Sequence, residues 1–159
     1  MNTYTSMESP IGRLLLTTDG SALTGLYMDV PGGAPVLAPD AVDDRSVGPL
    51  PAVVRQLKEY FAGSRREFDL TLHLEGTPFQ RRVWAALREI PYGATLSYGE
   101  LARRIDKPKA SRAVGLANGR NPISILVPCH RVIGTKGSLT GYGGGLDRKR
   151  WLLAHEGLH

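Results

Sequence analysis

The chain contains one cysteine, and it stands in Pro128-Cys129-His130-Arg131-Val132-Ile133, directly beside an imidazole and a guanidinium. An ordinary thiol, with a pKa of about 8.5, is mostly protonated at neutral pH, so a reactive one needs neighbours that stabilise thiolate or take its proton. His130 and Arg131 are residues of those kinds. The apolar run Ile123-Ser124-Ile125-Leu126-Val127 predicts a short buried strand, and Pro128, which has no N–H for a ladder, predicts its end. Cys129 is thus expected at a strand terminus beside a cleft. A lone cysteine is also a small, well-buried hydrophobe, and its adjacency to a histidine does not separate the two readings. A cysteine hydrolase using the Cys129-His130 pair is a third, although neighbours on a strand point to opposite faces.

The elements that would hold this motif must come from 159 residues, 42% of them hydrophobic, enough for one full core or two small ones. Met1 to Pro10 has neither a basic start nor a signal-length apolar stretch, and no run approaches a membrane span, so the expected compartment is the cytoplasm. A single cysteine excludes an intrachain disulfide, and His73, His130, His155 and His159 show no ligand spacing. Neither a structural metal nor a cofactor is expected. Charge is divided unevenly: residues 1–75 carry 6 Lys+Arg against 10 Asp+Glu, residues 76–159 carry 14 against 5. A basic half joined to an acidic one suits either a partner that is a polyanion, chiefly nucleic acid, or a solvated basic face.

In the acidic half, Gly12–Thr18 and Ala22–Met28 read as strands joined by a hairpin at Asp19-Gly20. Residues 31–51 hold five of the eleven prolines and read as a loop. Val53, Val54, Leu57, Tyr60 and Phe61 mark one face of a helix from Pro51 to Phe61, and Phe68, Leu70, Leu72 and Leu74 alternate as a strand. The expectation is an α/β domain over 1–75, a small antiparallel sheet plus a helix, with no nucleophile or phosphate-binding loop of its own.

The basic half, 76–159, is expected to be mainly α. Thr77 with Gln80 forms a capping box, Pro78 suits the first helical position, and Phe79, Val83, Leu87 and Ile90 give the buried stripe of one long helix ended by Pro91-Tyr92-Gly93. Ser97 with Glu100 caps a second helix reaching Ile105, Asp106-Lys107-Pro108 turns the chain, and a third runs from Lys109 to Asn118 with Gly119 as its stop. That pair has the outline of a helix-turn-helix as well as of an ordinary αα-hairpin. Ala110, Ala113, Gly115 and Ala117 leave the third helix almost without bulk, which permits close approach to a nucleic-acid backbone. Arg112 and Asn118 are then the main groups able to read bases, so phosphate contacts and little sequence preference are expected.

Taken together, Arg112-Ala113-Val114-Gly115, Asn118-Gly119-Arg120-Asn121-Pro122 and Pro128-Cys129-His130-Arg131 closely resemble the O6-alkylguanine-DNA alkyltransferases. The likeness runs from about Gly76 to Glu156, through Gly141-Tyr142-Gly143-Gly144 and Leu152-Leu153-Ala154-His155-Glu156, whereas the first half fits only in length and pattern. Some relatives hold zinc there, but this half has no cysteine. The resemblance implies irreversible, single-turnover transfer of an alkyl group from O6-alkylguanine, and from O4-alkylthymine, in duplex DNA to Cys129, with the nucleotide turned out of the stack. It implies that His130 takes the thiol proton through a water, that Glu156 orients the imidazole, and that Tyr98 donates to the leaving base and crowds its phosphate. Asn121 would brace the segment between binding helix and active site. Arg112 would fill the vacated space from the minor groove, or serve as a phosphate contact, beside Lys109, Ala110, Ser111, Ala113 and Gly115. Val132, Tyr142, Gly143, Gly144 and Trp84 would wall the base pocket. A monomer in solution is implied, clustering on DNA is left open, and no membrane is involved. A damage sensor or regulator of the same shape that binds without reacting remains the alternative, from which the thiol of Cys129 distinguishes this chain.

Overall fold

The computed structural model describes residues 3–30, 34–134, 142 and 144–158. Gly143, one of the expected pocket residues, and Gly141 lie outside the described residues. Backbone contacts divide the chain into two compact units, Met1–Leu74 and Glu75–His159.

In the first unit β1 (Thr3–Met7), β2 (Leu14–Thr18) and β3 (Leu23–Met28) run antiparallel, and β4 (Val42–Asp43) joins β1 in parallel, giving the order β3-β2-β1-β4. The sheet is therefore mixed rather than purely antiparallel, because two residues of the proline-rich loop pair with β1. Strand alternation turns Leu14, Leu16, Leu26 and Met28 inward, where β2 meets α1 (Leu50–Phe61) through Leu50, Val53, Val54, Leu57 and Tyr60. The β2–β3 turn is held by Asp19, whose Oδ1 accepts from the N–H groups of Ser21 and Ala22 at 2.8 and 2.9 Å, with Gly20 at φ 101°. The alternation over Phe68–Leu74 does not become a strand. Only Leu72 bridges to Leu23, and farther along the buried side chain of Gln56 takes the place of a ladder, accepting from the Asp69 N–H and donating to its carbonyl.

In the second unit α2 (Pro78–Leu87) opens on the Thr77–Gln80 capping box with both reciprocal bonds formed. It stops at Leu87 rather than continuing to Ile90. The N–H groups of Glu89 and Ile90 reach back only three residues, to Ala86 and Leu87, and Pro91 keeps the residue before it from helical geometry. Ile90 is nonetheless buried. The second capping box, Ser97–Glu100, starts α3 (Tyr98–Arg104), and α4 (Ser111–Gly119) follows a tight turn with Asp106 at φ 59°. Lys109 and Ala110 belong to that turn, not to the helix, because the Ala110 N–H is bonded to the Lys107 carbonyl. Gly119 is the last residue of α4 and not a stop beyond it. The three helices pack on one another, a two-residue parallel ladder joins β5 (Leu96–Ser97) to β6 (Val132–Ile133), and α5 (Leu146–His155) closes the unit against the cysteine segment.

Candidate active site

The approach to Cys129 is a turn, not a strand. Val127 N–H bonds to the Ile123 carbonyl at 3.0 Å, Leu126 N–H to Ser124 at 2.8 Å, and Ile125 has φ 72°. A β-branched residue in that left-handed region carries strain that the surrounding packing must hold. The hydrophobic run is buried because the whole turn is internal, so its composition misled: Ile123, Ile125, Leu126 and Val127 are all core residues. Asn121 ties the turn from outside, Nδ2 donating to the Val127 carbonyl at 2.8 Å and Oδ1 accepting from Ile123 N–H at 3.0 Å.

Cys129, His130 and Arg131 form one turn of 3₁₀ helix. Cys129 is 4% exposed. Burial pushes its thiol up from the ordinary value, while hydrogen bonding to Asn121, the charge of Lys149 and the Tyr142 side chain pull the other way without cancelling it. Neither His130 nor Arg131 is the cation acting on the sulfur. Arg131 instead forks onto Glu156, Nε to Oε1 at 2.8 Å and Nη2 to Oε2 at 3.0 Å, with Nη1 on the Ile90 carbonyl at 2.7 Å. The side chain thus clamps Glu156 to the turn at Ile90 that follows α2.

His130 is fully buried, and its Nε2 lies 2.8 Å from Glu156 Oε2. Burial tends to raise the Glu156 pKa, but the bonds and charges of His130 and Arg131 outweigh it and hold the carboxyl well below the usual range. Burial lowers the His130 pKa in spite of Glu156. An ionised carboxylate only accepts, so a neutral imidazole beside it carries its proton on Nε2 and keeps the lone pair on Nδ1. That Nδ1 is buried and makes no hydrogen bond to a described residue. It is placed to accept a proton.

Lys149 was not among the residues expected from the sequence. It is fully buried, donates from Nζ to the Val132 carbonyl at 2.6 Å, and has its pKa lowered by burial. Between Arg148 and Arg150 it reads as one more solvated charge. The missed signal is spacing, since Lys149, Leu152, Leu153 and Glu156 share one helix face.

Tyr98 begins α3 immediately after the β5–β6 ladder, which pairs Ser97 with Ile133, and its ring lies against Gly115 of α4, where an added Cβ would sit 3.7 Å from it. Val132 and Gly144 are buried and Tyr142 is half-buried. Trp84 was expected in the pocket wall but is core: 1% exposed, with Nε1 donating to the Ala117 carbonyl of α4 at 2.8 Å. Asn118, expected to read bases, also faces inward, 2% exposed, with Nδ2 directed at the Cys129 carbonyl at 3.4 Å. Arg112, Ala113 and Lys109 are exposed, while Ala110, Ser111 and Gly115 are half-buried. Among the described residues no cluster of three His, Cys, Asp or Glu could hold a metal, and no helix is long and apolar enough to cross a membrane.

Comparison with known proteins places this arrangement. Residues 2–74 match the ribonuclease-like domain of 6-O-methylguanine DNA methyltransferase, and residues 78–158 match its DNA-binding domain. A methylated-DNA--protein-cysteine methyltransferase of Mycolicibacterium paratuberculosis is 54% identical over 156 residues, covering 98% of this chain and 93% of that one. One from Methanosarcina acetivorans is 52% identical, covering 97% of each. The crystal structure of Mycobacterium tuberculosis OGT in complex with DNA superposes with a TM-score of 0.89 at 53% identity, covering 97% of this chain and 92% of that one. Matched along both units and at more than half of its positions, with a buried cysteine and a His–Glu pair carried on the better-defined half of the sequence pattern, the chain belongs to the 6-O-methylguanine DNA methyltransferase family.

Proposed function

We propose that this DNA methyltransferase repairs duplex DNA by moving the alkyl group of O6-alkylguanine, and of O4-alkylthymine, onto Sγ of Cys129, once per molecule. The bond from carbon to O6 breaks as the bond from carbon to sulfur forms, the thiol proton passes through a water to His130 Nδ1, and the base leaves with the electron pair. The thioether has no group beside it able to cleave it, so the transfer is stoichiometric. The observation that carries the reading is a buried thiol followed in the chain by an imidazole whose Nε2 is held by Glu156, which leaves Nδ1 as its proton acceptor.

The remaining residues fit around that step. Lys149 supplies the positive charge that favours sulfur as thiolate, and Arg131 keeps Glu156 ionised and oriented. Tyr98 donates from its phenol to the departing base, whose negative charge grows in the transition state. Asn121 braces the acceptor turn, and Val132, Tyr142, Gly143 and Gly144 enclose the base. The target carbon is hidden inside a duplex, so the nucleotide is turned out. α4 meets the DNA through its small residues from the minor groove, with Arg112 entering the stack, contacts dominated by phosphates and little sequence preference. The protein acts as a monomer, its acidic unit supporting the second.

Intact-mass spectrometry after incubation with a duplex holding one O6-methylguanine tests this. One methyl group per protein, on Cys129, is expected, and none in Cys129→Ala. Repeated turnover, or binding without transfer, would overturn the reading.

A further inference from the structure

Five residues of α4 face outward: Arg112, Ala113, Leu116, Gly119 and, at the C-cap, Arg120. Their spacing is that of a single helix face. A cation stands at each end, small residues lie beside the middle, and the middle is Leu116, 64% exposed. A single exposed leucine on an arbitrary surface needs no explanation. Leu116 differs in where it stands. The other large hydrophobics so exposed among the described residues are Val36, Val42 and Leu146, none of them on α3 or α4. The α3–α4 segment that carries it exposes Arg103, Arg104, Lys107 and Lys109 in addition to the two arginines of the face itself, against the acidic Glu100 and Asp106. The inward face of α4 is already filled by Val114, Ala117 and Asn118, so the helix has no core position for this side chain.

We infer that Leu116 is an apolar contact to the wall of the DNA groove, packing on deoxyribose edges one helical turn along α4 from Arg112. The inference rests on the reading above that α4 meets the duplex. Four residues advance a helix by about 6 Å, so the leucine and Arg112 stand on one face about a turn apart. Ala113 and Gly119 beside it carry nothing long enough to hold the helix away. The cations fix which partner covers the face: a polyanion whose grooves present apolar sugar edges between charged phosphates. Contact with those edges releases water, not counterions. Leu116 therefore adds affinity that salt does not remove, alongside the basic residues whose contribution salt does remove.

Duplex affinity measured from about 50 to about 200 mM salt separates the two kinds of contact. Leu116→Gln and Leu116→Ala are expected to bind about 3- to 10-fold more weakly, with the slope of log affinity against log salt unchanged and the melting temperature of the free protein unchanged. Arg120→Ala is expected to reduce that slope by about one. If Leu116→Gln binds like the parent while Arg112→Ala binds weakly, the leucine contact is wrong and the docking of α4 stands. If neither weakens binding, both are wrong. A shallower salt slope in the Leu116 variants would also overturn the proposal, since the loss would then be electrostatic.

Discussion

Replacing Arg131 by Met retains an apolar stem of similar length but removes the guanidinium that makes two bonds to Glu156 and one to the Ile90 carbonyl. The Glu156 and Arg131 side chains are 0% and 8% exposed, so solvent does little to screen what remains. Removing one member of such a pair costs about 3–5 kcal/mol, most of it for the uncompensated buried charge. At roughly 4–8 °C per kcal/mol for a domain of this size, melting should fall by about 12 °C or more. Glu156→Gln should cost a similar amount for the mirror-image reason, a guanidinium buried without its anion. If charge is the cause, removing both charges removes the conflict. The double variant Arg131→Met, Glu156→Gln should therefore be more stable than the two single losses added together by about 2–3 kcal/mol. Urea unfolding near neutral pH gives all four corners of the cycle, and strict additivity would refute the clamp. A second arm separates clamping from thiol activation. The pH dependence of iodoacetamide alkylation reports the Cys129 thiol directly, and Arg131 is not among the groups acting on that sulfur. Among variants that remain folded, a rise of the thiol midpoint in Arg131→Met as large as that in Lys149→Met would contradict the placement.

Lys149→Met should raise the midpoint of thiol alkylation and slow transfer at neutral pH, because the charge that opposes burial at the sulfur is gone; an unmoved midpoint would show that Lys149 acts only as packing. Stability should fall on acidification in two stages. His130 is held below its ordinary 6.5, so from about that pH downward the unfolded chain takes up a proton that the native state does not, and stability is lost. Glu156 is held below its ordinary 4.5, so its contribution is complete above that value and declines as pH falls further. Urea midpoints between neutral and acid pH measure both stages, and an unchanged dependence between pH 6.5 and 4.5 in His130→Gln would remove His130 as the cause of the first. Trp84→Phe deletes the indole donor to the Ala117 carbonyl, which keeps the Arg120 N–H at 3.2 Å, so the variant should cost about 0.5–1.5 kcal/mol in unfolding free energy; a loss below a few tenths would mean the indole bond contributes nothing to stability.

What the sequence disclosed followed the range of the interaction involved. Both capping boxes are local, four residues each, and both are formed as the spacing requires. The hairpin at Asp19-Gly20 is equally local. β1 went unseen because two of its three inward residues are Thr3 and Thr5, so its alternation is hidden from hydrophobicity. The segment Phe68–Leu74 has the right alternation but pairs with β3 at Leu72 alone, while Gln56 occupies the backbone groups of Asp69. Sequence periodicity reports which side of a segment is buried and says nothing about what pairs with its edge. In the site, the Cys129-His130 adjacency was visible, whereas the bond from His130 to a carboxylate 26 residues away came only through resemblance, since Glu156 before Gly157 looks like a solvated helix end. Buried Lys149 was lost for the same reason, disguised by flanking arginines.

The acceptor segment shows why its local conformation matters to the chemistry. In a strand, Cys129 and Arg131 would share one face and His130 would take the other. The guanidinium would then stand beside the sulfur and the imidazole would be turned from both. The observed turn has about three residues per revolution, so successive side chains diverge by about 120° and no two alternate positions coincide. His130 and Arg131 can consequently converge on one carboxylate, which strand geometry forbids, while Cys129 is directed toward Asn121, Tyr142 and Lys149. The left-handed Ile125 and the Asn121 brace are what bring the chain into this turn instead of an extended run. The strain at Ile125 is thus coupled to a specific result: three consecutive residues that a strand would sort by parity are sorted into the proposed nucleophile on one side and a carboxylate-binding pair on the other.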